Sequence, residues 1–311
     1  MANDLLKAYF ALAVVCIVWG TTYFAMRIGV NTIPPFLFSG FRQVVAGGIL
    51  LLFLKITGKL NALTRTNFIR QAIPGILMIT LGNGVVGWSE KFIPSGLAAL
   101  IVSIMPVYIV VVSFVSGVDR KMPNIAIVAG LIMGTLGIIL IFNDNLSDLS
   151  NPSYFTGMLV AFGAALAWAS GSVYTKYKPS KADPLVNAAM QMLIGGIVLL
   201  LMSLFLDDFK LIQPVSSDSF WALVYLIVIG SLLSYPCFIY ALDKLPVGLA
   251  SIYAYINPLI ALMLGFFLLN EKLTTMSLLA LFTTLTGVYF INRGYRQKNH
   301  TLRLTSSRRE P

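Results

Sequence analysis

A guanidinium inside an apolar run is a planar fork for a carboxylate or phosphate, and Arg42 stands alone as a charge in the apolar stretch 35–54. It lies seven residues past Pro35, which on a helix is about 10 Å from the end. Facing lipid there would cost a few kcal/mol, so the side chain must face protein or a watery cavity. It can anchor an anionic ligand group or belong to a structural ion pair. Glu90 is the nearest candidate partner, and Asn83, Gly87 and Glu90 share one helix face at i, i+4, i+7. The Glu90 carboxyl could pair with Arg42, attract a cationic ligand or take up a proton; the plain alternative is an interfacial pair with Lys91.

Tyr253 and Asn257 are four residues apart and so on one helix face, with Tyr255 between them in sequence. All three can hydrogen-bond a ligand, although tyrosines near helix ends also serve as interfacial anchors. Trp19 and Thr22 recur with Met26 at i, i+3, i+7, and Trp168 supplies a second indole later in the chain. The indoles either wall a cavity or are packed core. Cys16 and Cys237 fall in apolar segments without metal-ligand spacing, and the single histidine, His300, lies in a basic tail. These patterns point to no metal, no cofactor and no catalytic constellation.

The elements that must position these residues are legible from composition. Hydrophobic residues make up 58% of the 311 and charged residues only 11%, with a mean hydropathy of +0.84. A soluble domain carries roughly a quarter charged residues, so this is an integral membrane protein. Ten stretches are long enough to span as helices: 8–26, 35–54, 72–89, 94–118, 123–142, 154–175, 184–206, 220–242, 246–269 and 275–291. The first is a retained helix and not a signal peptide, because it runs on through Trp19-Gly20-Thr21-Thr22 with no cleavage site.

Threading the ten spans with the N-terminus inside places 17 of the 22 lysines and arginines on the inner side. That asymmetry predicts both termini in the cytoplasm. It also accounts for the net charge of +10 as topology, which argues against nucleic-acid binding and for a lipid bilayer as the partner.

A repeat organises the chain. Pro94 and Pro246, and again Pro106 and Pro258, are 152 residues apart, while Trp19 and Trp168, Pro35 and Pro184, and Arg42 and Gln191 are 149 apart. Five spans precede the polar loop 143–153 and five follow, and an odd count inverts the second half. The expected architecture is all-α: ten transmembrane helices as two inverted five-helix repeats, 1–143 and 154–293, with a basic cytoplasmic tail at 294–311. Pro106 and Pro258 should kink otherwise straight helices and could act as hinges. The glycine pairs Gly47-Gly48 and Gly195-Gly196, and Gly130 with Gly134, should permit close helix packing.

The stretches Trp19-Gly20-Thr21-Thr22-Tyr23-Phe24, Arg27-Ile28-Gly29-Val30, Gly82-Asn83-Gly84, Pro94-Ser95-Gly96-Leu97-Ala98-Ala99 and Tyr253-Ala254-Tyr255-Ile256-Asn257-Pro258 resemble the EamA branch of the drug/metabolite transporter superfamily, the YedA-like permeases above all. The likeness covers nearly the whole chain apart from the tail after Arg293. It implies a secondary-active or facilitative carrier that exports amino acids or other small metabolites across a bacterial inner membrane by alternating access. A proton as coupling ion, and a monomer or a homodimer, stay open. The competing classes are a channel-like protein and one that handles lipid or polar headgroups; no filter motif or nucleotide-binding loop accompanies them. On this reading the substrate-binding set is Trp19, Thr22, Arg42, Asn83, Glu90, Trp168, Gln191, Tyr253, Tyr255 and Asn257.

Overall fold

The structure is a computed structural model that describes residues 2–60, 64–118, 124–144, 151–180, 182–209, 214–251 and 253–307. It forms ten helical segments: α1 (Ala2–Gly29), α2 (Pro35–Ile56), α3 (Arg65–Ser89), α4 (Ser95–Val115), α5 (Ile125–Asp144), α6 (Pro152–Tyr177), α7 (Pro184–Leu206), α8 (Ser217–Lys244), α9 (Val247–Ala250 and then Tyr253–Leu269) and α10 (Thr275–Ser307). Seven of these are long and apolar enough to cross a membrane, and α5, α9 and α10 carry shorter apolar runs. No strand occurs among the described residues.

The molecule is apolar on its outside. Ile125 is 88% and Phe205 85% exposed, whereas Arg42, Gln43, Gln71 and Gln191 are buried. Only a solvent as apolar as lipid tails makes that distribution favourable, and helices keep their backbone groups satisfied within it.

Packing follows the repeat. The helices α2 and α7 pack together, as do α5 and α10; α1 packs on α8 and α9, and α6 packs on α3 and α4. Exchanging each helix for the one five places away leaves this pattern unchanged. The α2–α7 seam shows the inversion directly: a Cβ at Gly47 would lie 2.9 Å from Leu193, and one at Gly196 would lie 2.8 Å from Val44. These are two copies of one contact, since Gly196 stands 149 residues after Gly47 and Leu193 stands 149 after Val44. Gly48, by contrast, meets nothing within 4 Å, so only its neighbour needs to be small.

Three charged side chains close helix ends from distant segments. The Asp207 carboxylate accepts from the backbone N–H of Phe36 (3.4 Å) and Leu37 (2.8 Å) at the start of α2. Glu271 accepts from Ser95 N–H and Oγ (both 2.8 Å) and Gly96 N–H (3.1 Å) at the start of α4. Lys176 Nζ donates to the carbonyls of Leu242 (2.9 Å), Asp243 (3.0 Å) and Leu245 (2.8 Å) at the end of α8. Each sign matches the helix dipole, and each satisfies backbone groups that a helix end leaves over.

The helices are less regular than their apolar runs suggest. In α4 the break falls at Ser103–Ile104, where Ile104 N–H bonds Ile101 O (3.2 Å) and Val107 N–H bonds Ile104 O (2.8 Å), a tightened turn. Pro106 stands just past the break, in the first turn of the resumed helix, because it cannot donate to Val102 and would crowd that carbonyl. Pro258 lies inside the continuous helix Tyr253–Leu269, and the interruption of α9 comes earlier, after Ala250. The interruptions of the two helices therefore lie upstream of both prolines.

In α3 and α8 the widened π-helical stretches Gly75–Gly84 and Leu226–Leu233 occupy equivalent parts of the two halves. A proline flanks each, Pro74 before the first and Pro236 after the second, interrupting the regular hydrogen-bond ladder. The final helix continues through Ser307, well beyond the apolar run that ends at Ile291. The loop residues 145–150, Arg120, Lys121 and Lys181 lie outside the described residues.

Candidate functional site

A cavity of about 60 Å³ lies among α1, α2, α3, α4, α6, α8 and α9, with walls from both halves. At roughly 10–15 Å³ per water it holds only a few waters. Eight of the ten residues singled out in the sequence line it: Trp19, Thr22, Arg42, Asn83, Glu90, Trp168, Tyr253 and Asn257. Gln191 stands directly behind the wall, and the side chain of Tyr255 lies outside the described residues.

Arg42 is 2% exposed. Its Nε donates to Ser231 Oγ at 2.8 Å and its Nη1 to Asn83 Oδ1 at 3.5 Å. The π-helical stretch of α8 brings Gly230 against the guanidinium, where a Cβ would lie 3.0 Å from Nη2. Asn83 Oδ1 also accepts from Gln43 Nε2 at 3.4 Å. The guanidinium is thus bridged to both π-helical stretches, α3 and α8.

Glu90 has neither of its expected partners. Both carboxylate oxygens are buried without a hydrogen bond, while Lys91 is exposed, so the pairs with Arg42 and with Lys91 are not formed. Asn83, Val86 and Glu90 make the stripe of α3 that faces the cavity. Gly87 is packed closely beside that stripe, where a Cβ would lie 3.0 Å from Met26 Sδ and 3.2 Å from the Ser39 hydroxyl. Helix α3 packs against α1 and α2 at once, and the glycine sits where both come close.

The two indoles meet at the centre. Trp19 and Trp168 cross edge to face at 5.2 Å, and Trp19 meets Tyr253 and Phe238 at 5.0 Å each. Edge-to-face rings of this kind are worth about 0.5–1.5 kcal/mol beyond burial, so the cluster is a rigid wall. Tyr253 Oη donates to Met105 Sδ at 3.1 Å. The Asn257 amide, oriented with nitrogen toward two carbonyls, donates to Tyr253 O (3.1 Å) and Cys16 O (3.0 Å). Thr22 Oγ1 donates to Trp19 O at 2.8 Å within its own helix. Cys16 and Cys237 are both free thiols, and no cluster of three metal-ligating side chains is found among the described residues.

Tyr235 also lines the cavity, and nothing in its immediate sequence marks it. The repeat does, because Tyr235 stands 152 residues after Asn83. Its hydroxyl donates to Gln191 Oε1 at 2.6 Å, and Gln191 Nε2 donates to Gln71 Oε1 at 2.6 Å. Since Gln191 is the equivalent of Arg42, the Gln191–Tyr235 bond repeats the Arg42–Asn83 bond in the other half. Gln71 in turn lines a second, more polar cavity of about 130 Å³ with Arg70, Lys176, Lys178, Asn187 and Asp243. The buried column Gln71–Gln191–Tyr235 is therefore the partition between the two cavities.

Comparison with known proteins agrees with this architecture. The EamA-like transporter family matches residues 6–143 and again 155–293. The uncharacterized inner membrane transporter YedA of Escherichia coli (strain K12) is 34% identical over 94% of this chain and 92% of its own. The uncharacterized transporter YoaV of Bacillus subtilis (strain 168) is 25% identical over 92% and 96%. Protein PecM of Dickeya dadantii (strain 3937) is 28% identical over 88% and 86%. A crystal structure of a protein 19% identical superposes with a TM-score of 0.65 over 93% of this chain and 97% of that one, a likeness of fold. With both halves matched and a relative at this identity along almost its full length, the chain belongs to the EamA-like transporter family.

Proposed function

We propose that the protein is a secondary-active or facilitative carrier that exports amino acids or related small metabolites across the bacterial inner membrane by alternating access. The observation that carries this reading is a cavity built from both halves, with Arg42, Asn83 and Glu90 in a largely apolar lining, and partitioned from a second cavity by Gln71, Gln191 and Tyr235. Related inverted repeats bury such sites near the midplane. The repeats are 1–143 and 154–293, both termini are cytoplasmic, and the second cavity is the inner vestibule. Trp19, Thr22, Arg42, Asn83, Glu90, Trp168, Gln191, Tyr253, Tyr255 and Asn257 form the substrate site and its supports, with the breaks upstream of Pro106 and Pro258 as hinges.

The test is flux of radiolabelled amino acids in proteoliposomes with and without a pH gradient. Saturable counterflow supports a carrier, a gradient-dependent rate adds proton coupling, and unsaturable flux through all concentrations marks a channel. Arg42→Lys separates two roles of the guanidinium. Lost transport at normal membrane abundance marks a ligand anchor; lost abundance marks the bridge to Ser231 and Asn83 as structural.

A further inference from the structure

The two halves match helix for helix, yet two equivalent cations are held differently. Lys176 at the end of α6 stands 149 residues after Arg27 at the end of α1, as Trp168 does after Trp19, and both cations are half-buried. Lys176 Nζ donates to the carbonyls of Leu242, Asp243 and Leu245. Helix α6 packs on α3 and α4, whereas α8 and α9 pack on α1, so this lysine ties one packing group to the other. Its three acceptors stand 152 residues after Glu90, Lys91 and Ile93, the turn that ends α3. The counterpart bonds are not made there: Arg27 has no hydrogen bond or ion pair among the described residues.

The same turn holds the orphaned carboxylate, since both Glu90 oxygens are buried without a hydrogen bond. Arg27 is the cation whose field falls most strongly on that carboxylate, ahead of Arg42. An arginine fork carries five N–H donors, enough for the carbonyls that a helix end leaves over and for the carboxylate beside them. Resting on the carrier reading and its topology, we propose that Lys176 and Arg27 are alternating latches. Lys176 holds the inner side shut in the form described; when it lets go, Arg27 shuts the outer side by bonding to the end of α3, with Glu90 as its counter-charge. A bond made in one form only shifts the balance between the forms, so each latch favours the closure of its own side.

The experiment labels Thr22→Cys on the central cavity with a membrane-impermeant maleimide, in full-length protein carrying Cys16→Ser and Cys237→Ser, in right-side-out and inside-out membrane vesicles. Lys176→Met removes the donors and keeps the stem; labelling from the inner side should rise by roughly tenfold, and labelling from the outer side should fall. Arg27→Gln should do the reverse, with a severalfold rise from the outer side. A merely structural role would move both sides alike. Should Lys176→Met fail to fold, Arg27→Gln carries the test alone, since Arg27 makes no bond in the form described. Shifts of the same sign in both variants, or an Arg27→Gln variant labelled like its parent from both sides, would overturn the latches. Labelling from one side only in every variant would sink the carrier reading and the latches with it, whereas labelling from both sides without opposed shifts overturns the latches alone.

Discussion

Tyr235→Phe tests the partition between the two cavities. The substitution deletes one hydroxyl and leaves Gln191 Oε1, in a side chain with no exposed surface, without its 2.6 Å donor. An unsatisfied buried acceptor costs about 1–3 kcal/mol, and hydrogen bonds between membrane helices average about 0.6 with a maximum near 1.7. A penalty of about 1–2 kcal/mol follows. If the column parts when the inner side opens, the penalty falls on the closed form alone, and the ratio of open to closed molecules rises by roughly 5- to 30-fold. The assay is the rate at which a membrane-impermeant thiol reagent, added from the vestibule side, labels Thr22→Cys on the central cavity. Native Cys16 and Cys237 are replaced by serine in this background. The labelling rate should rise by that factor. An unchanged rate together with a lowered melting temperature would refute the reasoning, since the bond would then persist through the whole cycle.

Two further outcomes follow from packing. Gly47→Leu should abolish the folded yield measured by size exclusion, because even a Cβ would lie 2.9 Å from Leu193, whereas Gly48→Leu, facing open space, should leave yield and melting temperature within about 0.5 kcal/mol of wild type. Pro106→Ala should restore the bond to the Val102 carbonyl and straighten α4; transport slowed at normal abundance is expected, and unaltered flux would count against a hinge there.

Apolar runs punctuated by proline mark helices plainly because lipid demands about twenty apolar residues and leaves no alternative backbone. The all-α membrane class and its ten segments were therefore readable from composition and spacing. So were eight of the cavity residues, since a polar side chain inside an apolar run must face protein, as Arg42, Glu90 and Asn83 do. Repeat arithmetic adds Gln191 to the set, and the same arithmetic points to Tyr235 through Asn83.

Partners were beyond the reach of spacing. Adjacency in the chain made Lys91 plausible for Glu90, and charge made Arg42 plausible, but the guanidinium finds Ser231, 189 residues away, and the carboxylate finds neither. The caps made by Asp207, Glu271 and Lys176 were equally hidden, because each closes a helix that tertiary packing brings near. The widened turns of α3 and α8 carry no signal in hydropathy, since π and α turns bury the same side chains. What the sequence determined by itself was which residues must avoid lipid. Which of them meet was decided by the packing of two inverted halves, whose contacts join residues far apart in the chain.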